Sequence, residues 1–357
     1  MSILMSPLPL RGITLKNRIV VSPMCQYSSQ DGFANDWHLV HLGSRAVGGA
    51  GLILFEASAV VPEGRITPHD LGIWKDEHIE GLKRITDFIS AQGSVPGIQL
   101  AHAGRKASHH RPWDGGKAIA PNEENGWQTV APSPIPFQDG EPTPHELTEA
   151  EIGQVVDAFE AATKRSLEAG FKVIELHAAH GYLLHAFYSP LSNQRTDKYG
   201  GSFENRIRLL LEVTERVRKV WPQEYPLFVR ISATDWTEGG WTGDDSVALA
   251  LALKKLGVDL VDCSTGGNVP QAEIPIAPSY QVPFSQMVRQ RANILTGAVG
   301  MVTEAQQAEE ILAGGQADVV LLARELLRDP YFPMHAALQL GSAHAWPPQY
   351  ERAKPRR

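Results

Sequence analysis

The chain has 357 residues, of which 43% are hydrophobic, and its 33 basic and 40 acidic residues give a net charge of -7. This length and apolar content allow a large buried core, while the acidic balance disfavours nucleic acid as the main partner. The two cysteines, Cys25 and Cys263, are too few for a disulfide framework or a cysteine-rich zinc or iron–sulfur site. Met1–Leu10 does not resemble a signal peptide and no apolar run has membrane-spanning length, so we expect a cytoplasmic protein.

Apolar segments of strand length alternate with segments of helical periodicity along the whole chain. The predicted strands are Arg18–Met24, Gly51–Ala57, Val95–His102, Val173–Leu176, Leu227–Ile231, Leu260–Ser264, Ile294–Gly297 and Val319–Ala323. The predicted helices are His38–Val47, Ile79–Ala91, Glu149–Ala169, Phe203–Val220, Thr242–Leu256, Phe284–Ala292, Thr303–Ala313 and a short helix after Arg324. These eight repeats predict a single-domain α/β fold, a (β/α)8 TIM barrel. The alternative, an open doubly wound sheet, is disfavoured because no Gly-x-Gly-x-x-Gly turn follows the first strand.

Two segments lie outside these repeats. Residues 104–144 follow the third strand and are rich in proline, glycine and tryptophan. Since this excursion is too long for a plain connection, we predict a lid or insertion there. Residues 341–357 form a C-terminal tail, in which Trp346–Tyr350 has the prolines and aromatic rings of a segment docked on a surface.

The fourth predicted strand and the turn after it carry an unusual set of titratable side chains. Because side chains alternate between the two faces of a strand, Glu175 and His177 share one face. His180 and Tyr182 follow at once in a glycine-containing turn. Such crowding at a strand end is typical of a functional site. Imidazoles spaced as His177 and His180 are also suited to binding a metal, so the residues alone leave both interpretations open.

Other polar residues fall near the ends of predicted strands, where barrel enzymes carry their chemistry. They are Cys25, Tyr27, Gln99, Arg230 and Arg324. Gly297–Gly300, after the seventh strand, offers bare backbone N–H groups that with Arg324 suit an anion. Each residue also has an ordinary structural explanation, such as an internal ion pair of Arg230 with Glu175 or Asp262. Their confinement to one end of the barrel nevertheless favours a site.

On four motifs the chain resembles the Old Yellow Enzyme family of flavin-dependent ene-reductases, in its bacterial, thermophilic-like branch. The motifs are Ser22–Tyr27, His102–Lys106, His177–Tyr182 and Arg195–Ser202, and the resemblance extends from Leu15 to Arg352. The 2,4-dienoyl-CoA reductase relatives need a cysteine cluster for an iron–sulfur centre, and this chain lacks one. Two features depart from the branch: Ala323 stands where glycine is usual, and the chain continues beyond Arg352.

The resemblance implies that FMN binds at the barrel mouth and that NADPH or NADH reduces it. Residues implied to bind FMN are Pro23, Met24, Cys25 and Ala57 along the isoalloxazine, Gln99 and Arg230 at its pyrimidine edge, and Gly300, Ala323 and Arg324 at the phosphate. His177 and His180 would bind the oxygen of an α,β-unsaturated carbonyl compound or a nitroalkene, which Tyr27 would touch. Tyr182 would supply a proton, and Cys25 would tune the flavin potential without acting as a nucleophile.

The same resemblance implies a homodimer or homotetramer in which Arg352 enters the neighbouring subunit's active site. Two other hypotheses stay open from the sequence. One is a metal-assisted lyase without a flavin, using His177, His180 and Glu175. The other is a flavin-storage or scaffold protein that keeps the fold without catalysis.

Overall fold

The computed structural model describes residues 2–355. The strands are β1 (Leu8–Leu10), β2 (Ile13–Leu15), β3 (Ile19–Val21), β4 (Leu52–Ala59), β5 (Val95–Ala101), β6 (Val130–Ala131), β7 (His145–Glu146), β8 (Val173–Ala178), β9 (Leu227–Ser232), β10 (Leu260–Ser264), β11 (Leu295–Ala298) and β12 (Val319–Leu322). The α-helices are α1 (Asp36–Val47), α2 (His78–Ala91), α3 (Glu149–Glu168), α4 (Leu183–Tyr188), α5 (Phe203–Arg206), α6 (Arg208–Val220), α7 (Gly243–Lys255), α8 (Val282–Ala292), α9 (Ala305–Ala313), α10 (Arg324–Arg328) and α11 (Phe332–Gln339).

Eight of these strands close into a barrel, in the order β10-β11-β12-β3-β4-β5-β8-β9. All eight pairings are parallel, and helices connect successive strands over the outside of the barrel. Strands of this kind are buried on both faces and therefore read as apolar runs. The (β/α)8 prediction is confirmed. Within residues 2–355, no helix combines the length and the apolar character needed to cross a bilayer.

The hydrophobic core has two compartments. The larger lies between the strands and the outer helices, and the smaller lies inside the barrel. Leu8, Leu10 and Leu15 of the β1–β2 hairpin pack with the interior residues Leu52 and Leu54 and so close one end of the barrel. Each buried leucine contributes roughly 2 kcal/mol. The sequence did not predict this hairpin, because its three-residue strands are too short for a periodic signal.

Several predicted boundaries were wrong in ways that affect the site. The first barrel strand, β3, ends at Val21, so the Pro23–Tyr27 segment lies in the loop after it. The fourth barrel strand, β8, continues to Ala178 and therefore includes His177. The helix predicted over residues 203–220 is interrupted at Ile207.

The excursion over residues 104–144 leaves after β5, the third barrel strand. Its strand β6 pairs in parallel with β7 just beyond it. Arg105 fastens the excursion, since its guanidinium donates to the Ile135 and Pro136 carbonyls at 3.2 and 3.3 Å and to the Asn268 carbonyl at 2.5 Å. The segment is therefore tied to the loop that follows β10.

The tail passes the end of the barrel opposite the mouth. Its residues His344 and Trp346 line a cavity of about 410 Å³ together with Lys16 and Gly49, which lie ahead of β3 and β4. Farther along, the Tyr350 hydroxyl lies 3.5 Å from that of Tyr331. The tail of the described chain thus docks away from the strand ends that carry the polar residues.

Buried histidines give the folded chain a defined response to acid. Burial lowers the pKa of His41 to about 3 and that of His102 to about 4, whereas an unfolded histidine titrates near 6.5. Below about pH 6.5 these histidines are protonated in the unfolded chain but stay neutral in the folded chain. The free energy of unfolding therefore falls as the pH drops below about 6.5. Burial conversely raises the pKa of Asp70 to about 7 and that of Glu175 to about 8. The stability that these two carboxyl groups contribute is fully present below their unfolded pKa of about 4. It is lost as the pH rises through their folded pKa values of about 7 and about 8.

We therefore predict that His41→Leu reduces the loss of unfolding free energy between about pH 7.5 and about pH 5.5 by about 1 kcal/mol. Urea unfolding at both pH values measures the effect. Ser44→Ala is the matched control on the same helix: it removes the bond to the His41 carbonyl but no titrating group, so it should shift stability equally at both pH values. Equal pH sensitivity of His41→Leu and the wild type would contradict the prediction.

Candidate active site

Five polar side chains form a buried layer inside the mouth of the barrel. The register pairs Gln99 of β5 with Glu175 of β8, and Arg230 of β9 with both His177 of β8 and Asp262 of β10. Side chains at paired positions point to the same face of a sheet, so all of these point inward. Gln99 Nε2 donates to Glu175 Oε1 at 2.8 Å. The strand register therefore assembles the layer from residues far apart in the chain.

This layer holds more carboxylates than cations. Arg230 Nε lies 3.1 Å from Asp262 Oδ2, an ion-pair distance, but the alignment is too poor for a hydrogen bond. Glu175 Oε2 and both Asp262 oxygens likewise lack a hydrogen-bond partner among the described residues. Burial, followed by the Asp262 charge, raises the pKa of Glu175 to about 8. Burial raises the pKa of Asp262 to about 6, against the lowering effect of Arg230.

The turn after β8 brings three aromatic side chains together. The His177 ring centroid lies 5.2 Å from that of His180 and 4.9 Å from that of Tyr182, and both pairs meet edge to face. His177 Nδ1 accepts from the Ala179 N–H at 3.3 Å, so its proton resides on Nε2. His180 Nε2 lies 2.7 Å from the Ser264 hydroxyl. The predicted His177–His180–Tyr182 cluster is thus one compact group.

Burial fixes the protonation of this group. It lowers the pKa of both His177 and His180 well below the ordinary value, and the Arg230 charge adds to the effect. Burial, together with the nearby Cys25 and Tyr27, raises the pKa of Tyr182. At neutral pH the site therefore presents two neutral imidazoles and a protonated phenol, all of which can donate hydrogen bonds.

Two residues without a predicted role complete the cluster. Lys106 Nζ donates to the His180 and Gly267 carbonyls at 2.9 Å each and lies 5.3 Å from the centre of the Tyr182 ring. Burial, then Arg105, lowers the pKa of Lys106 to about 8. Ser264, the last residue of β10, holds His180. The sequence could have indicated Lys106, because it lies in the His102–Lys106 motif after the third strand. It could not have indicated Ser264, because a single serine at the end of a strand is not distinctive.

The loop after β3 forms another side of the mouth. Pro23, Met24, Cys25 and Tyr27 are all half-buried there, and Tyr27 has a left-handed backbone with φ of 49°. Ala57 is buried in β4, next to a register shift that follows Phe55. Burial and the charges of Asp70 and Glu56 raise the pKa of the Cys25 thiol. That thiol is therefore un-ionised and a poor nucleophile.

The predicted anion site lies on the neighbouring strands β11 and β12. Gly300 follows β11 with φ of 115°, a conformation that suits glycine. Ala323 and Arg324 follow β12, and Arg324 is exposed and makes no ion pair with a described residue. Gly297 itself lies in β11, where a Cβ would lie 2.4 Å from Leu321 Cδ1. The absence of a side chain there makes room inside the barrel.

Arg352 is not brought to the site of its own chain. It lies exposed in the short 3-10 helix Pro348–Ala353, and its guanidinium makes no hydrogen bond or ion pair with residues 2–355. Outside the mouth, a cavity of about 830 Å³ opens between the excursion and the site. Tyr27, Lys106, Phe137 and Tyr182 are among the residues that line it.

These residues fit a flavin better than a metal. The buried Arg230 Nε, which lacks a hydrogen-bond acceptor, suits a planar ring with carbonyl groups at its edge, as do the Gln99 amide and the small or flat side chains Pro23 and Ala57. Gly300 and Arg324 suit a phosphate. In the described part of the chain, no three His, Cys, Asp or Glu side chains converge as metal ligands would. The geometry gives no support to the metal-assisted lyase.

Comparisons with known proteins also indicate a flavin-dependent enzyme. The model of the NADH:flavin oxidoreductase / NADH oxidase family matches residues 3–342. NADPH dehydrogenases of Geobacillus sp. (strain WCH70) and Bacillus subtilis (strain 168) are each 50% identical to the chain, over 353 and 351 residues, with 98% of both chains covered.

Two solved structures of reductases superpose on this chain over nearly its whole length. Morphinone reductase superposes with a TM-score of 0.79 at 27% identity, covering 98% of this chain and 92% of that one. A 2-naphthoyl-CoA reductase complex superposes with a TM-score of 0.85 at 28% identity, covering 95% of this chain and 52% of that one. The chain belongs to the NADH:flavin oxidoreductase / NADH oxidase family, the Old Yellow Enzyme family, and is an oxidoreductase whose cofactors are FMN and a reduced nicotinamide.

Proposed function

We propose that this protein is an ene-reductase that reduces the activated C=C bond of α,β-unsaturated carbonyl compounds or nitroalkenes at the expense of NADPH or NADH. The observation that carries the proposal is the cluster of two neutral imidazoles and one phenol at the barrel mouth. FMN, when bound, supplies the hydride through its N5, taken from the nicotinamide and delivered to the β carbon of the acceptor. Pro23, Met24, Cys25 and Ala57 would line its ring.

Both imidazoles can donate to one acceptor oxygen. His177 does so through Nε2, because its Nδ1 already accepts from the backbone. For His180, the Ser264 hydroxyl is closer to Nε2, at 2.7 Å, than to its other acceptor, Gln281 Oε1, at 3.3 Å. We assign Ser264 as the donor in this shorter contact, which would leave the His180 proton on Nδ1 for the acceptor oxygen. These two neutral N–H donors draw electron density from the C=C bond of the acceptor without the imidazoles having to be positively charged.

Tyr182 is the proton donor to the α carbon. Its raised pKa keeps the phenol protonated until the acceptor has gained negative charge. Once the proton has left, the Lys106 ammonium 5.3 Å from the ring centre stabilises the phenolate. Tyr27, whose ring packs edge to face on Trp113 of the excursion at 5.8 Å, would touch the acceptor from the other side. The cofactor would be held by Gln99, Arg230, Gly300, Ala323 and Arg324.

A second copy of the chain would complete the site. Helix α1 exposes Trp37 and Val40, at 56% and 67%, as an apolar patch. Trp37 Nε1 donates to Gln26 Oε1 at 3.1 Å, and Gln26 lies between Cys25 and Tyr27, so the patch reaches the rim of the mouth. Since Arg352 is exposed and remote from its own site, we propose that a homodimer or homotetramer forms over this patch and that Arg352 enters the active site of the neighbouring subunit.

The first test replaces the oxygen-binding pair. The wild type should purify with FMN that heat releases, and should reduce 2-cyclohexenone with NADPH. The double variant His177→Ala/His180→Ala should retain FMN and lose roughly 10²-fold in reoxidation by the enone, as for other lost oxyanion donors. Stopped-flow spectroscopy of the two half-reactions measures this. The exposed His335→Ala is the control. A colourless protein that takes up no FMN would overturn the proposal.

The second test concerns proton transfer. Tyr182→Phe removes only the hydroxyl, so the reduction of the flavin by NADPH should change little, while enone reduction should slow about 10²-fold. A solvent isotope effect that persists or rises on the remaining slow step would show that solvent has replaced the phenol as the donor. Unchanged enone turnover in Tyr182→Phe would refute the assigned role and leave the histidine pair unaffected.

The third test concerns the shared site. Arg352→Ala should keep the oligomer and FMN but raise the enone KM several-fold, since it removes one cation near the acceptor. Trp37→Glu should disrupt the α1 patch and yield monomers in sedimentation. Mixing these two variants should restore part of the activity only if Arg352 acts across the interface. A fully active monomer would exclude the shared site while leaving the flavin chemistry intact.

A further inference from the structure

The turn that carries His180 and Tyr182 has a demanding backbone. His180 and Gly181 both have positive φ, 59° and 77°. The left-handed region is unfavourable for a residue with a β carbon, so the surroundings must hold His180 there. Space is also tight, since a Cβ on Gly181 would lie 2.3 Å from the Gly267 carbonyl oxygen.

One side chain holds the centre of this turn. The Gly181 N–H donates to His185 Nδ1 at 2.9 Å, and no backbone acceptor takes that N–H among the described residues. Because Nδ1 accepts, the imidazole proton is on Nε2, which donates to Asp235 Oδ1 at 2.9 Å. Both side chains are fully buried. His185 therefore bridges the catalytic turn and a buried carboxylate.

Asp235 is itself fixed by several donors. Its Oδ2 accepts from the Ser189 hydroxyl at 2.6 Å and from the Trp241 N–H at 2.9 Å. Asn268 Nδ2 donates to Ser189 at 2.8 Å, and Arg105 donates to the Asn268 carbonyl. Burial alone would raise the pKa of Asp235, but His185 and these hydrogen bonds keep it below the ordinary value. An ionised Asp235 can therefore orient the imidazole.

Ser189, His185 and Asp235 have the residue types of a hydrolytic triad but not its geometry. In a triad the serine hydroxyl is bonded to the histidine, which activates it. Here the hydroxyl is bonded to the aspartate, and the histidine directs its free nitrogen to a backbone N–H. Since Ser189 is also fully buried, nucleophilic catalysis is excluded.

We propose that His185, oriented by Asp235, is a positioning residue for the reaction: it fixes the Gly181 N–H and thereby places His180 and Tyr182. The proposal rests on the proposed function for its kinetic consequence alone. The hydrogen bond and its effect on the turn do not depend on which acceptor the enzyme reduces.

Two substitutions separate the two nitrogens of His185. In His185→Asn, the amide oxygen takes the place of Nδ1 and can still accept from Gly181, while the bond to Asp235 is lost. In His185→Gln, the amide nitrogen takes the place of Nε2 and can still donate to Asp235, while the acceptor for Gly181 is lost. His78→Phe is the control, because His78 is equally buried but packs against Phe33 and Trp74.

The direct readout is hydrogen exchange at the Gly181 amide in the FMN-loaded enzyme. His185→Gln should exchange about tenfold faster than the wild type, as expected for one lost hydrogen bond. His185→Asn should stay close to the wild type at this amide, although the unpaired Asp235 makes it the less stable of the two. Equal exchange in both variants, or faster exchange in His185→Asn, would overturn the proposal, because exchange that reflects a merely structural role would follow overall stability.

The kinetic readout is reoxidation by 2-cyclohexenone. His185→Gln should slow it about tenfold and His185→Asn less, with His78→Phe unchanged. In a Tyr182→Phe background the effect of His185→Gln should shrink, because the part of it that acts through the tyrosine is lost while the part that acts through His180 remains. Additive effects would refute the positioning role. If the wild type reduces no enone, the proposed function fails, while the exchange experiment still decides whether His185 holds the turn.

Discussion

The closed register of eight parallel strands is the constraint on which the site depends. Because every strand enters at the same end of the barrel, a shift of one residue would turn Glu175 and His177 outward and replace them with apolar neighbours. The observed register instead places Arg230 opposite both His177 and Asp262. Closure also removes the sheet edges, so the strand ends at the mouth are held rigidly.

The polar layer below the mouth shows how the barrel accommodates charge that it cannot hydrate. Arg230 forms an ion pair with Asp262. The pKa of Glu175 is raised, so this carboxyl group can stay protonated near neutral pH. A buried cation with an unfilled donor is costly unless a ligand completes it. The same feature therefore favours a ligand with acceptor groups, which links the stability of the fold to its cofactor.

The turn that carries His180 and Tyr182 is constrained in a similar way on a smaller scale. His180 is kept in a strained conformation by contacts from four directions: the Ser232 hydroxyl on its N–H at 2.9 Å, Lys106 on its carbonyl, Ser264 on its ring and His185 on the next residue. These partners come from four separate parts of the chain. Strain of this kind persists only where the surrounding structure determines it, so these contacts fix the position of the His180 imidazole.

The sequence by itself determined the alternation of strands and helices, hence the barrel, and the end of the barrel at which the polar residues gather. It also determined the candidate residues His177, His180, Tyr182, Gln99 and Arg230, since polar side chains on buried strands are conspicuous. Only the tertiary structure decided that Gly297 serves packing, that Arg352 is remote from its own site, and that Lys106, Ser264 and His185 support the turn. Those roles depend on contacts between residues distant in the chain, and local periodicity carries no information about such contacts.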